Sequence, residues 1–143
     1  MHRGLIAALA GAVLAGAGYV WFSPNKVTAQ TAPSGGTGEP MVSVILPELD
    51  GDAQIGARAF DTFCATCHGP AGAGRNGSGP PLIHPIYEPG HHGDMAFFMA
   101  AQNGVQAHHW RFGNMPPVAG ISQAEVGSIV AYIRAVQRAN GIE

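Results

Sequence analysis

Lysine is almost missing from this chain: among 143 residues there is one, Lys26, and charged residues make up only 11%. An ordinary soluble domain carries about 25%. Seven Lys and Arg stand against nine Asp and Glu, for a formal charge of −2. No basic stripe is available to neutralise phosphates, so nucleic-acid binding is disfavoured. Cysteine is scarce as well, with two residues, too few for a multi-disulfide scaffold. Strand-like alternation is absent. What the chain has in quantity is 21 Gly and 11 Pro, still short of the roughly 25–30% that marks low-complexity disorder.

Charge is absent altogether from residues 4–22, GLIAALAGAVLAGAGYVWF. As a helix this run would be about 28 Å long, close to the hydrocarbon thickness of a bilayer. It exceeds the usual apolar core of a signal peptide, about 7–15 residues. Tyr19, Trp21 and Phe22 sit at its outer end, and Arg3 on the short flank predicts a cytoplasmic N-terminus. The expectation is an N-terminal hydrophobic helix over residues 1–22, a single-pass anchor that places the rest on the periplasmic side of a bacterial inner membrane. The competing reading is a signal segment cleaved after Val27-Thr28-Ala29, leaving a soluble periplasmic protein.

Residues 23–51 follow with Pro, Gly, Ser and Thr frequent, and read as a flexible linker. Within them MVSVIL (41–46) is an apolar run, suited to a short extended piece laid on a domain. The compact domain is expected over 52–143, and it should be all-α. A first helix opens with Asp52 as N-cap and puts Ile55, Ala59, Phe60 and Phe63 on one face. A second is capped by Asp94, runs from Met95 to Asn103 and stops at Gly104. A third opens with the capping box Ser122-Gln-Ala-Glu125 and carries the stripe Val126, Ile129, Val130, Ile133 and Val136, ending at Asn140-Gly141. Three modest helices and many glycines make a marginal core for some 92 residues.

Cys64-Ala65-Thr66-Cys67-His68 supplies an answer. C-x-x-C-H reads as covalent attachment of one haem c. Positions i and i+3 share a helical face, so two sulfurs can reach the two vinyl groups of one porphyrin, and the adjacent His68 turns toward the iron. The haem then provides the apolar body that the core lacks. A thioredoxin-like C-x-x-C would want a βαβ context, a zinc site would want a second ligand pair, and a plain disulfide would leave the core unfilled. For the opposite axial position the candidate is Met115, in Gly113-Asn114-Met115-Pro116-Pro117, where prolines stiffen the loop. Two strong protein ligands on iron argue for electron transfer over catalysis.

From about residue 52 the chain resembles the class I monohaem cytochromes c. Gly56 and Phe60 match that family's small residue and aromatic at a helix crossing, and Tyr132 matches the aromatic of the partner helix. Gly79-Pro80-Pro81-Leu82 matches the loop whose Pro carbonyl accepts the proximal His Nδ1–H, which makes Pro80 the candidate to orient His68. The resemblance implies the cytochrome c fold, with three main helices and long loops around one covalent haem. It implies Cys64 and Cys67 as thioether anchors, His68 as proximal ligand and Met115 as distal ligand.

One stretch departs from that family's look. Residues 84–109 hold five histidines, His84, His91, His92, His108 and His109, with Glu88 and Asp94 among them. They could be surface or haem-edge groups, and the Trp110 indole, Arg75 or Arg111 could donate to haem propionates. They could instead form a second metal site for copper or zinc, with His91 or His92 meeting His108 or His109. A histidine competing with Met115 for iron is a third reading.

The expected function is therefore one-electron transfer at the outer face of the cytoplasmic membrane, between redox protein partners such as a membrane complex and a periplasmic reductase or oxidase. The alternatives are a copper- or zinc-handling haem protein and a haem subunit of a larger membrane oxidoreductase.

Overall fold

A computed structural model describes residues 28–30 and 38–143. The N-terminal helix expected over 1–22 lies outside the described residues. Among those described, no helix is long and apolar enough to cross a membrane.

Two helices form the frame: α1, Gly51–Phe63, and α4, Gln123–Ala139. Between them in the chain come a short turn of helix α2, Ala65–His68, and α3, Asp94–Asn103. Single turns of 3₁₀ helix, Pro70–Gly72 and Pro85–Tyr87, punctuate the loops. The fold is mostly helical and fits the cytochrome c fold. It is not purely α: Thr28–Gln30 (β1) pairs antiparallel with Val44–Leu46 (β2).

The crossing of α1 and α4 depends on one missing side chain. A Cβ on Gly56 would stand 1.8 Å from the Ser128 carbonyl oxygen, so only glycine lets the two backbones approach this closely. One turn on, Phe60 is fully buried and meets Tyr132, with ring centroids 5.5 Å apart and planes tilted by 54°. A tilted aromatic pair of this kind adds about 0.5–1.5 kcal/mol beyond its area burial. The α4 stripe, Val126, Ile129, Val130, Ile133 and Val136, is buried along its length.

Helix ends differ from expectation in two places. The N-cap of α1 is Asp50, and Asp52 sits inside the first turn. The N-cap of α3 is Gly93, because the Asp94 carboxylate is taken by Arg134, whose Nε donates to it at 2.8 Å. The Ser122 capping box at α4 is complete, with Glu125 N donating to Ser122 Oγ at 3.2 Å and Ser122 N donating to Glu125 Oε2 at 2.8 Å.

Part of the stretch read as linker is packed structure. Met41 N and Val42 N both donate to Ala73 O, and Asn76 N donates to Glu39 O. Val44 is buried in the main core, with Val42, Leu46 and Leu49 against it. Asn140, at the end of α4, holds Ile45 from both sides of its peptide, accepting from its N–H and donating to its C=O, each at 2.8 Å. The run 41–46 therefore closes the core, and the packed body begins near residue 38.

Candidate haem site

The helical turn after α1 carries the motif. Cys64 ends α1 and opens α2, with its N–H donating to Phe60 O, and His68 N donates back to Cys64 O at 2.9 Å. No disulfide joins the two cysteines; Cys64 is half-buried and Cys67 exposed. Burial, and then the neighbouring Cys67, push the Cys64 thiol up to about 11.

His68 is buried, and its Nδ1 lies 2.9 Å from the Pro80 carbonyl oxygen. A carbonyl only accepts, so Nδ1 carries the proton and Nε2 keeps a free lone pair. Burial pulls the His68 pKa down, partly opposed by the Pro80 bond, and the ring is held as neutral imidazole. The approach of the Pro80 loop needs glycine beside it: a Cβ on Gly79 would stand 2.6 Å from the Cys67 carbonyl oxygen.

Cys64, Cys67, His68 and Pro80 line a cavity of about 580 Å³, and Met115 lines the same cavity. That volume lies within the usual range of cofactor sites, about 300–1,000 Å³. Met115 is pinned by a two-way backbone bridge to Val105, at 2.9 and 3.0 Å, and Val118 N donates to Ala101 O at 2.8 Å just beyond it. The Pro116-Pro117 loop is thereby clamped to the end of α3. Phe63, Leu82, Phe97, Phe112 and Ile121 supply much of the apolar lining.

Trp110 also lines this cavity, and its buried Nε1–H has no hydrogen-bond partner. It lies near Tyr87 without closing a bond of ordinary geometry. An orphaned buried donor calls for an acceptor, and a haem propionate would be one. Two thiols, a lone-pair imidazole, a thioether, an apolar interior and an unpartnered donor fit a covalent haem. Arg75 Nε is likewise buried and unpartnered, but Arg75 is not part of the cavity lining.

The histidines divide into groups. The His84 ring packs edge-on against Trp110, 5.3 Å between centroids, and its Nδ1 accepts from Ile86 N. His92, His108 and His109 line the cavity, whereas His91 does not. His91, His92 and His109 each bring a ring nitrogen within 4.8 Å of the others, and His108 stacks beside them outside that set. Loss of water around the ring, followed by the proximity of His108, His92 and His91, holds His109 below the usual imidazole range.

Arg134 and Gln137 are the organising residues that sequence reasoning missed. Arg134 is 8% exposed and donates to Asp94, to the carbonyls of Tyr87 and His92, and to Gln137 Oε1. Gln137 is 1% exposed and donates to Leu82 O and Tyr87 O. Together they tie the loop 82–92 to α4. An arginine near a helix end ordinarily reads as a solvated partner of the helix dipole. The available signal was Gln137, a polar residue next to the apolar stripe.

The family model described as Cytochrome c matches residues 53–137. No curated protein matches the chain, and no solved structure does. The matched span takes in the α1–α4 crossing, the C-x-x-C-H turn and the whole cavity. The chain belongs to the cytochrome c family, which implies a covalently bound haem c and haem-based electron transfer.

Proposed function

We propose that the protein is a one-electron carrier with His68 and Met115 as axial ligands, working on the outer face of a bacterial cytoplasmic membrane. A haem c bound here supplies a reversible Fe(III)/Fe(II) couple. Cys64 and Cys67 would hold it by thioether bonds. His68 would present Nε2, kept neutral by burial and aimed by the Pro80 carbonyl. Met115 would present its sulfur from a loop fixed by proline and by the Val105 bridge, and a thioether opposite imidazole raises the potential. Held by both His68 and Met115, the iron would be closed to small substrates.

The observation that carries this reading is the presence of His68 and Met115 on the lining of one apolar cavity, each backbone-anchored. The unbroken apolar run over residues 4–22 and its aromatic flank support a periplasmic domain, anchored or exported. The near absence of lysine supports encounters with redox partners that depend weakly on salt.

The test is the absorption spectrum of the ferric holoprotein and of Met115→Ala. The parent should show the far-red iron–thioether band. The variant should lose it, bind cyanide readily and have a lower midpoint potential. An unchanged band and potential would remove Met115 from the iron.

A further inference from the structure

Adjacent histidines on regular backbone point apart, yet His91 and His92 converge. Both of their N–H groups donate to the Glu88 carbonyl, at 3.1 and 2.8 Å. That turn leaves their rings 4.7 Å apart, centroid to centroid. His109, from the loop after α3, comes against both, at 5.3 Å from His91 and 5.2 Å from His92.

The nitrogen positions are more telling than the rings. His91 Nε2 and His109 Nε2 are 3.4 Å apart. Two imidazole nitrogens bound tetrahedrally to one zinc-sized ion, at about 2.0–2.1 Å each, lie roughly 3.3–3.4 Å from one another. His92 completes the triangle, with one ring nitrogen of each residue within 4.8 Å of the others.

His92 is also oriented as metal-bound histidines usually are. Its Nδ1 lies 2.6 Å from the Ile86 carbonyl oxygen, so Nδ1 carries the proton and Nε2 is left as the available lone pair. Its own carbonyl accepts from Arg134, which anchors this position to α4. His91 and His109 are exposed, so an ion has a direct path in from solvent.

We propose that His91, His92 and His109 form a transition-metal site on the rim of the haem cavity, binding one Cu(II) or Zn(II) ion through three imidazole nitrogens. The all-imidazole donor set suits both ions, and the general order of stability puts copper above zinc. The fourth position is open to water. His108 is a neighbour of the site and not one of its ligands. The site does not rest on the axial ligation of the haem: Met115 could fail its own test and leave this triad intact.

The experiment titrates chelator-stripped, haem-loaded full-chain protein with Zn(II) by calorimetry and with Cu(II) against a competing chelator. One ion of either metal per chain is expected, with copper the tighter. His91→Ala and His109→Ala should each weaken binding by about tenfold or more, and His92→Gln likewise. His108→Ala should change it by less than about threefold, since that ring supplies no ligand. Because His91 and His109 are exposed, an unaltered haem spectrum will show that their variants fold. No binding at micromolar ion overturns the proposal. So does one-ion binding that survives the His91/His109 double replacement, and so does a His108→Ala loss as large as the others.

Discussion

The Nδ1–H of His68 donates to the Pro80 carbonyl across 2.9 Å, and the approach is open only because residue 79 has no side chain. A methyl on Gly79 would stand 2.6 Å from the Cys67 carbonyl oxygen, a backbone atom that cannot swing aside. Gly79→Ala should therefore push the Pro80 loop off His68. Overpacking of this kind costs about 1–3 kcal/mol, which lowers the melting temperature of a domain this size by roughly 4 °C or more. Thermal melting of the holoprotein measures the cost. A shift in its reduction potential would separate a disturbed His68 from simple loosening.

The same logic applies more severely at the helix crossing. The added Cβ of Gly56→Ala would meet Ser128 backbone at 1.8 Å. Helices α1 and α4 must then separate and part the Phe60–Tyr132 contact. A loss of about 3 kcal/mol or more is expected, at or beyond the upper end for overpacked sites. Urea unfolding of the holoprotein, with the slope of the transition checked for constancy, provides the measurement.

Tyr132 predicts an alkaline limit. Burial, and then the nearby Asp61 carboxylate, raise its pKa from 10.0 to about 12. The folded state favours the neutral phenol, so the unfolded chain ionises first. This contribution to stability is complete below pH 10, falls between pH 10 and about 12, and levels off above that. Tyr87, also raised by burial, adds to the same decline. Tyr132→Phe should reduce the slope by about one proton in this window, as read from unfolding free energies across the pH series. An unchanged slope would mean that the hydroxyl is already free to ionise in the fold.

Arg134 predicts a coupling between α4 and the histidine loop. Arg134→Met keeps most of the volume and leaves the Tyr87 and His92 carbonyls and Gln137 Oε1 without this donor. Asp94 is largely exposed and can return to water, so the ion pair itself contributes little. The Tyr87 carbonyl keeps Gln137 Nε2 as a donor, so the cost, about 1–3 kcal/mol, is set by Gln137 Oε1 and the His92 carbonyl. Hydrogen exchange should report faster opening around residues 84–94 in this variant, with the α1–α4 crossing protected as before.

Features that span one or two helical turns were legible in the residues alone. The spacing of Cys64, Cys67 and His68 is a property of one helical turn. The Ser122–Glu125 box and the α4 stripe are likewise set by the period of a helix, which is the same in every protein. Tertiary structure alone decided the rest. Asp94 has the composition of a cap, but a cation buried forty residues away took it from the backbone. The run 41–46 read as an extended piece laid on a domain, but where it docks was decided by Ala73 and Asn140, which offer its backbone groups partners. Which histidines converge followed from a turn at Glu88, from the Ile86 carbonyl beneath His92 and from the path of the loop after α3. Loops carry no period from which such meetings can be read, and each is fixed by contacts between residues distant in the chain.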